Sequence, residues 1–319
     1  MTFGDLTIAT LKKWSKTLAD NVSNNNALLA KLKEKGAIIQ EDGGTALEEG
    51  IDAQENSTFK WYDGYEVLDI SPSEVLSSAV FAWKQASAVV SISGKEVRNN
   101  KGSQTKKYNL LASKMTNCER TMKNKVSLAV FSDGTGSNGK ELGGLQLLIS
   151  DTPSAGVVGG IDAGENEFWR NQLYSFNSEA SITSDPKPEE MLEAMSQLWL
   201  RTVRNSDKPD LIIADAKYFS IYEKACASIK RINDSAKIGD ASFPALDYKG
   251  VPIIYDSNCP EKHMYFINTD FLKLRVHEDA YFSLDEERIT VNQDARVYPM
   301  LFQGNLTCSN RNLQGVIKA

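Results

Sequence analysis

Between residues 104 and 131 the chain reads QTKKYNLLASKMTNCERTMKNKVSLAVF. Its apolar positions recur every three or four residues, at Tyr108, Leu111, Met115, Cys118, Met122, Val126 and Ala129. That period predicts a helix with one narrow apolar stripe. Neither Gly nor Pro interrupts it, Ser103 suits an N-cap, and Asp133-Gly134 suits a stop. Such a helix would be about 40 Å long. Lys106, Lys107, Lys114, Glu119, Arg120, Lys123 and Lys125 supply much of the rest of its surface. A long helix with so narrow a stripe reads as a strut or as an ordinary core helix, and its neighbours in sequence favour the strut.

Upstream, Leu11, Trp14, Leu18 and Val22 share one helical face, and a second short helix from Ala27 to Lys35 is closed by Gly36. The acidic, Gly-rich text of 40–57 predicts an extended or loosely held segment. Short helices of this kind pack either on their own core or on another body. From Thr58 to Arg98 the pattern is strand-like. TFKWY and YEVLDI flank the hairpin dipeptide Asp63-Gly64, and Ser71-Pro72-Ser73 marks a broader turn. In the run that follows, Val80, Ala82, Lys84, Ala86 and Ala88 alternate with Phe81, Trp83, Gln85 and Ser87, so neither face is strongly apolar. A long hairpin with two mixed faces suits an excursion onto a neighbouring subunit, or an edge hairpin of its own domain.

Downstream of the long helix, DGTGSNGKE reads as a loop and LGGLQLLIS as a short strand or buried segment. The Gly-rich stretch 151–170, with Phe168-Trp169 as anchor, is long for a structureless loop in a compact domain. A second module starts near Asp185-Pro186-Lys187-Pro188. A helix from Glu189 to Asn205, the strand LIIAD, a helix from Ala216 to Ile229 and the strands VPIIYD and MYFIN compose a small α/β unit. The tail returns to strands, with FLKLRV and AYFSL separated by His277-Glu278-Asp279 and a longer run from Arg296 to Cys308.

With 319 residues, 41% of them hydrophobic, the chain can bury a sizeable core, and the length prior suggests two subdomains. The 42 acidic against 36 basic residues disfavour a dedicated nucleic-acid binder, though not a protein that encloses nucleic acid. No run is apolar enough for a signal peptide or a membrane helix. Cys118, Cys226, Cys259 and Cys308 are far apart, with no CxxC pair, and read as reduced thiols of a cytoplasmic product.

The motifs carry little chemistry. Gly134 to Gly139 matches GxGxxG literally, but it follows a helix, whereas the dinucleotide fingerprint follows a strand. The alternating Asp133, Thr135, Ser137, Gly139 and Glu141 only faintly resemble a calcium loop. Ser93-Gly94-Lys95 lacks the spacing of a phosphate loop, and His263 and His277 lie outside any HExxH pattern. No catalytic, cofactor-binding or metal residue is assigned. A small-molecule enzyme using Asp215 or Asp256 of the α/β unit stays as the alternative of another class.

The order of parts is a two-helix arm, a long two-stranded excursion, a spine helix, a Gly-rich connector, an inserted α/β unit and terminal strands. Together with the stretches VFAWKQASAVVSISGKE, GGLQLLISDTP and PDLIIADAKYFSIYEKA, it resembles the major capsid proteins of tailed bacteriophages, the Hong Kong 97-type shell fold. The resemblance spans essentially the whole chain. It implies an α+β fold with an N-terminal arm (1–50), an extended loop (51–98), a peripheral domain (99–186 and 277–319, with the spine helix 104–131) and an axial domain (187–276). It implies a structural protein, not an enzyme, without a cofactor, assembled in the bacterial host cytoplasm into the virion capsid. Its partners would be itself, as homo-hexamers and homo-pentamers, a separate scaffolding protein, portal and decoration proteins, and double-stranded DNA held without sequence specificity; no membrane is implied. Trp14, Trp61, Tyr65, Pro72 and Trp83 are candidate inter-subunit contacts, and Lys114, Lys123 and Lys125 candidate DNA-facing residues. A protein compartment of the encapsulin type would share the fold.

Overall fold

The computed structural model describes residues 26–52, 58–68, 71, 76–99, 104–229, 245–285, 288–289 and 293–319. The expected first arm helix, with Trp14, and the turn at Pro72 lie outside them.

The spine helix, α3, spans Gln104–Ala129. Met115, Met122 and Val126 are buried and Cys118 is half-buried, which realises the lower part of the stripe. Gly144 and Leu145 hold its C-terminal end. Val130 and Phe131 finish the helix in a tight turn, and Gly144 and Leu145 donate their amides to the carbonyls of Ser132 and Val130, at 3.1 and 2.7 Å. A Cβ on Gly144 would lie 2.4 Å from the Val130 oxygen, so only glycine approaches this closely. LGGLQLLIS is therefore a backbone clamp followed by one helical turn, Leu145–Leu148, not a strand.

Under α3 lies a sheet whose longest strand, β14 (Ala295–Cys308), pairs antiparallel with β4 (Lys84–Ser93) on one side. On its other side it pairs with β12 (Leu272–Leu284) and the short β13 (Arg288–Ile289). β1 (Ile38–Glu41) joins the outer edge of β12 in parallel. Val90 and Ile92 of β4 and Tyr298 of β14 receive the helix stripe at Met115 and Cys118. His277-Glu278-Asp279 does not end a strand: the ladder of β12 shifts register between Val276 and Tyr281 and continues.

The second sheet runs in the order β7-β15-β11-β8-β10-β9. Its strands are β7 (Gln172–Ser175), β8 (Leu211–Ala214), β9 (Ala245–Tyr248), β10 (Val251–Tyr255), β11 (His263–Ile267) and β15 (Gly315–Lys318). Helices α4 (Pro188–Thr202) and α5 (Ala216–Ile229) pack together on one face. All four residues of β8 are buried, which explains why LIIA reads as a continuous apolar run. Two strands of this sheet, 172–175 and 315–318, come from stretches that the sequence reading grouped with the peripheral region.

Two other expectations change. The short helix α1 (Ala27–Glu34) is embedded in its own chain's main core through Leu28, Leu29 and Leu32, so the arm from Asn26 onward needs no external body. The Gly-rich text after it forms β1 and β2 (Leu47–Asp52). β2 pairs antiparallel with β3 (Leu76–Phe81), from Leu47↔Phe81 to Asp52↔Leu76. The excursion is this ribbon, not a hairpin of TFKWY with YEVLDI; among the described residues 58–68 form no strand, only a turn at Asp63-Gly64. β4 belongs to the sheet under the spine helix, which is why its alternation has no clean apolar face: it packs α3 on part of its length and meets solvent on the rest.

Candidate assembly surfaces

The described stretch of the loop, residues 58–68, carries six large apolar side chains, and none is buried. Trp61 is 90% exposed, Phe59 73% and Tyr65 fully, with Tyr62, Val67 and Leu68 beside them. Phe59 and Trp61 meet edge to face at 5.6 Å. Single exposed hydrophobics are ordinary, but a group of six on one short stretch is not.

The base of the ribbon is fixed firmly. Glu49 of β2 is 3% exposed and takes charge-assisted bonds from Lys273 Nζ at 3.0 Å and Arg275 Nε at 2.8 Å, plus the Thr307 hydroxyl at 2.8 Å. Arg275 also reaches Glu41 at 3.0 Å. On the other side, the Val80 amide donates to the Gly159 carbonyl at 2.8 Å, and Gly159, at φ +62°, presses against Ala79 and Phe81. Gly159 lies between the two-residue strands β5 (Val157–Val158) and β6 (Ile161–Asp162). Trp169, fully buried, braces this turn by donating to the Val158 carbonyl at 2.9 Å. Below Trp169 the buried Arg311 donates to the carbonyls of Leu148 and Trp169 and to Asn171 Oδ1, at 2.7, 3.1 and 3.2 Å. Burial pulls its pKa down to about 10, which leaves it charged at neutral pH.

The expected contact residues separate in space. Trp61 and Tyr65 lie together on the loop, whereas the indole of Trp83, half-buried, donates to the Gly44 carbonyl at 3.0 Å beside the His277 ring, back on the body. Of the three lysines proposed to face DNA, Lys114 is engaged: its ammonium bonds Glu96 at 3.0 Å and the Ser91 carbonyl at 2.9 Å, tying α3 to β4 and to α2 (Gly94–Asn99). Lys125 is exposed and Lys123 half-buried.

The carboxylates considered for an enzyme are occupied by backbone. Asp215 accepts the amides of Tyr218 and Lys262, both at 2.9 Å, capping α5. Asp256 accepts the Asn258 amide at 2.9 Å and the Asn26 side-chain amide at 3.1 Å, and burial raises its pKa. Among the described residues no cluster of His, Cys, Asp and Glu could hold a metal ion, and no helix is long and apolar enough to cross a membrane. The loop 133–141 turns through left-handed Ser137 and Asn138, and Asp133 is spent on the Thr135 amide and hydroxyl.

Compared with solved structures, 93% of the chain superposes on 92% of a chain of the cyanophage A-1(L) capsid asymmetric unit, with a TM-score of 0.69 at 14% identity. The chain has the Hong Kong 97-type shell fold. The capsid of the Myoviridae phage XM1 matches over 91% of this chain and 92% of its own, with a TM-score of 0.54 at 9% identity. A virus-like particle from Pyrococcus furiosus matches over 97% and 99%, with a TM-score of 0.52 at 13% identity. No protein-family model matches the sequence, and no curated protein matches it.

Proposed function

We propose that the chain is the major capsid protein of a tailed bacteriophage, self-assembling into hexamers and pentamers of an icosahedral head around double-stranded DNA. The observation that carries this reading is the whole-chain superposition on a phage capsid chain at a TM-score of 0.69. The uncovered aromatic loop supports it, because a shell subunit has to offer surfaces that its own body leaves open. Rings require heterologous contacts, in which two different patches of one chain match. Trp61 and Tyr65 are our inter-subunit anchors, and aromatic side chains of this kind dominate interface energies. Lys123 and Lys125 are our DNA-facing residues. A scaffolding protein, a portal and decoration proteins complete the assembly, which forms in the host cytoplasm and resides in the virion. The arm, extended loop, peripheral and axial parts divide near residues 47, 81 and 187, with 172–175 and 315–318 counted as axial by strand pairing. Because Asp215 and Asp256 serve as caps and turn anchors, we assign no enzymatic role.

Electron microscopy of the full-length chain, expressed alone and with a scaffold, tests the reading. Closed shells are expected; a monomer under both conditions overturns it. Shells that carry a protein cargo rather than nucleic acid would instead indicate a compartment. In phage-derived particles, Lys123→Glu with Lys125→Glu should lower DNA retention at unchanged shell yield; equal loss of both refutes the DNA-facing assignment.

A further inference from the structure

Both ring nitrogens of His263 face oxygen acceptors. Nδ1 lies 2.7 Å from the Glu261 carbonyl oxygen and Nε2 2.9 Å from Asp151 Oδ2. A neutral imidazole has a single N–H, so it satisfies one acceptor and turns a lone pair toward the other; only the imidazolium donates to both. We propose that His263 is held as an imidazolium that clasps Asp151, and that its deprotonation releases the Gly-rich connector 151–171 from the end of the axial sheet.

The surroundings agree. Burial opposes the charge on His263, but the bonds to Asp151 and Glu261 outweigh it and raise its pKa above 6.5. Burial likewise works against the Asp151 carboxylate, and His263 and Lys318 outweigh it and lower its pKa. From β15, Lys318 Nζ lies 3.8 Å from Asp151; it competes for the same carboxylate and offers only a longer contact once the histidine is neutral. Beside the ring on β11, Tyr265 stacks at 6.0 Å, and burial raises its pKa, so it stays neutral. Cys259, also neutral because burial raises its pKa, bonds the His263 carbonyl, and Asp215 touches the strand through its backbone amide. Lys262, next in sequence, lies 3.6 Å from Asp185, which pairs with Lys217 at 2.7 Å.

The position gives the clasp its consequence. Asp151 is the first residue of the connector that carries β5, β6 and Gly159, and Gly159 grips β3 of the extended loop. The charge on one histidine thus tensions the mount of the loop. For the sign, a folded pKa above the unfolded value means that the stabilisation is complete below about pH 6.5 and is lost as pH rises through the folded pKa. The lowered pKa of Asp151 sets the acid limit, with its contribution lost as pH falls through that value.

Hydrogen exchange of the full-length protein, read by mass spectrometry at pH 6, 7, 8 and 9 and corrected for the intrinsic pH dependence, tests this. In the native sequence, protection of peptides from 150–165 should fall several-fold between pH 6 and 9 while β8 peptides stay constant. Asp151→Asn and His263→Gln should show low connector protection at every pH. Constant protection in the native sequence, or a native pH response in Asp151→Asn, overturns the proposal. Should His263→Gln fail to fold, Asp151→Asn decides alone.

Discussion

At the scale of single residues, the extended loop depends on one buried carboxylate. Glu49 sits at 3% exposure between Lys273, Arg275 and Thr307 and satisfies three donors from two strands of the sheet. Removing the buried carboxylate takes an acceptor from the Thr307 hydroxyl and from Arg275, although Arg275 keeps Glu41 and Lys273 is partly exposed. Glu49→Gln should therefore destabilise the subunit by about 1–3 kcal/mol in chemical unfolding, whereas Glu48→Gln, on the opposite face of β2, should change little. Equal effects would mean that the cluster contributes nothing specific. In the sequence, Glu48 and Glu49 are simply adjacent acidic residues, with nothing to mark which one is buried. Strand alternation places the two side chains on opposite faces, but the arginine and lysine that bury one of them come from more than 220 residues away.

At the scale of elements, α3 was legible from its period alone, and the described residues from Gln104 to Ala129 are helical. Its end was less so. Asp133-Gly134 marks a stop, yet the carbonyls near residue 130 are closed by Gly144 and Leu145, which arrive from a segment that reads as a short strand or buried segment. Gly144→Ala would set a methyl 2.4–2.6 Å from the Val130 and Ala129 oxygens and the Ser132 nitrogen. A contact that short against backbone forces the clamp apart, at a cost of about 1–3 kcal/mol. A lowered denaturant midpoint is the expected readout, and an unchanged midpoint would show that the clamp yields freely. The excursion was legible as strand, but not its pairing. TFKWY-DG-YEVLDI has the stronger hairpin text, yet the ladder forms between 47–52 and 76–81, because Leu47, Ile51, Ala79 and Phe81 bury against the core whereas Trp61 and Tyr65 stay exposed among the described residues.

At the scale of the whole molecule, the paired ribbon and the exposed loop divide the labour. Replacing 53–75 by an Asn-Gly turn joins Asp52 to Leu76, which already face each other in the ladder. The resulting subunit should keep the unfolding midpoint of the full chain and fail to assemble. Retained shells would show that the aromatic loop is not an essential contact. A larger deletion through residue 97 would be uninformative, since it removes β4, the partner of β14 along ten residues, and with it the floor under the spine helix.

The sequence by itself determined some elements and their order: the long stripe, the buried run of β8, and the helices α4 and α5. Each of these is a local period set by backbone geometry and side-chain polarity. Only the tertiary structure decided which strands share a sheet, which acidic residue is buried and that Lys114 is engaged. Those outcomes depend on partners that the chain brings from hundreds of residues away, as with 172–175 beside 315–318 and Glu49 beside Arg275. The aromatic loop stands between the two: its hydrophobicity is plain in the sequence, and only the fold shows its side chains exposed among the described residues.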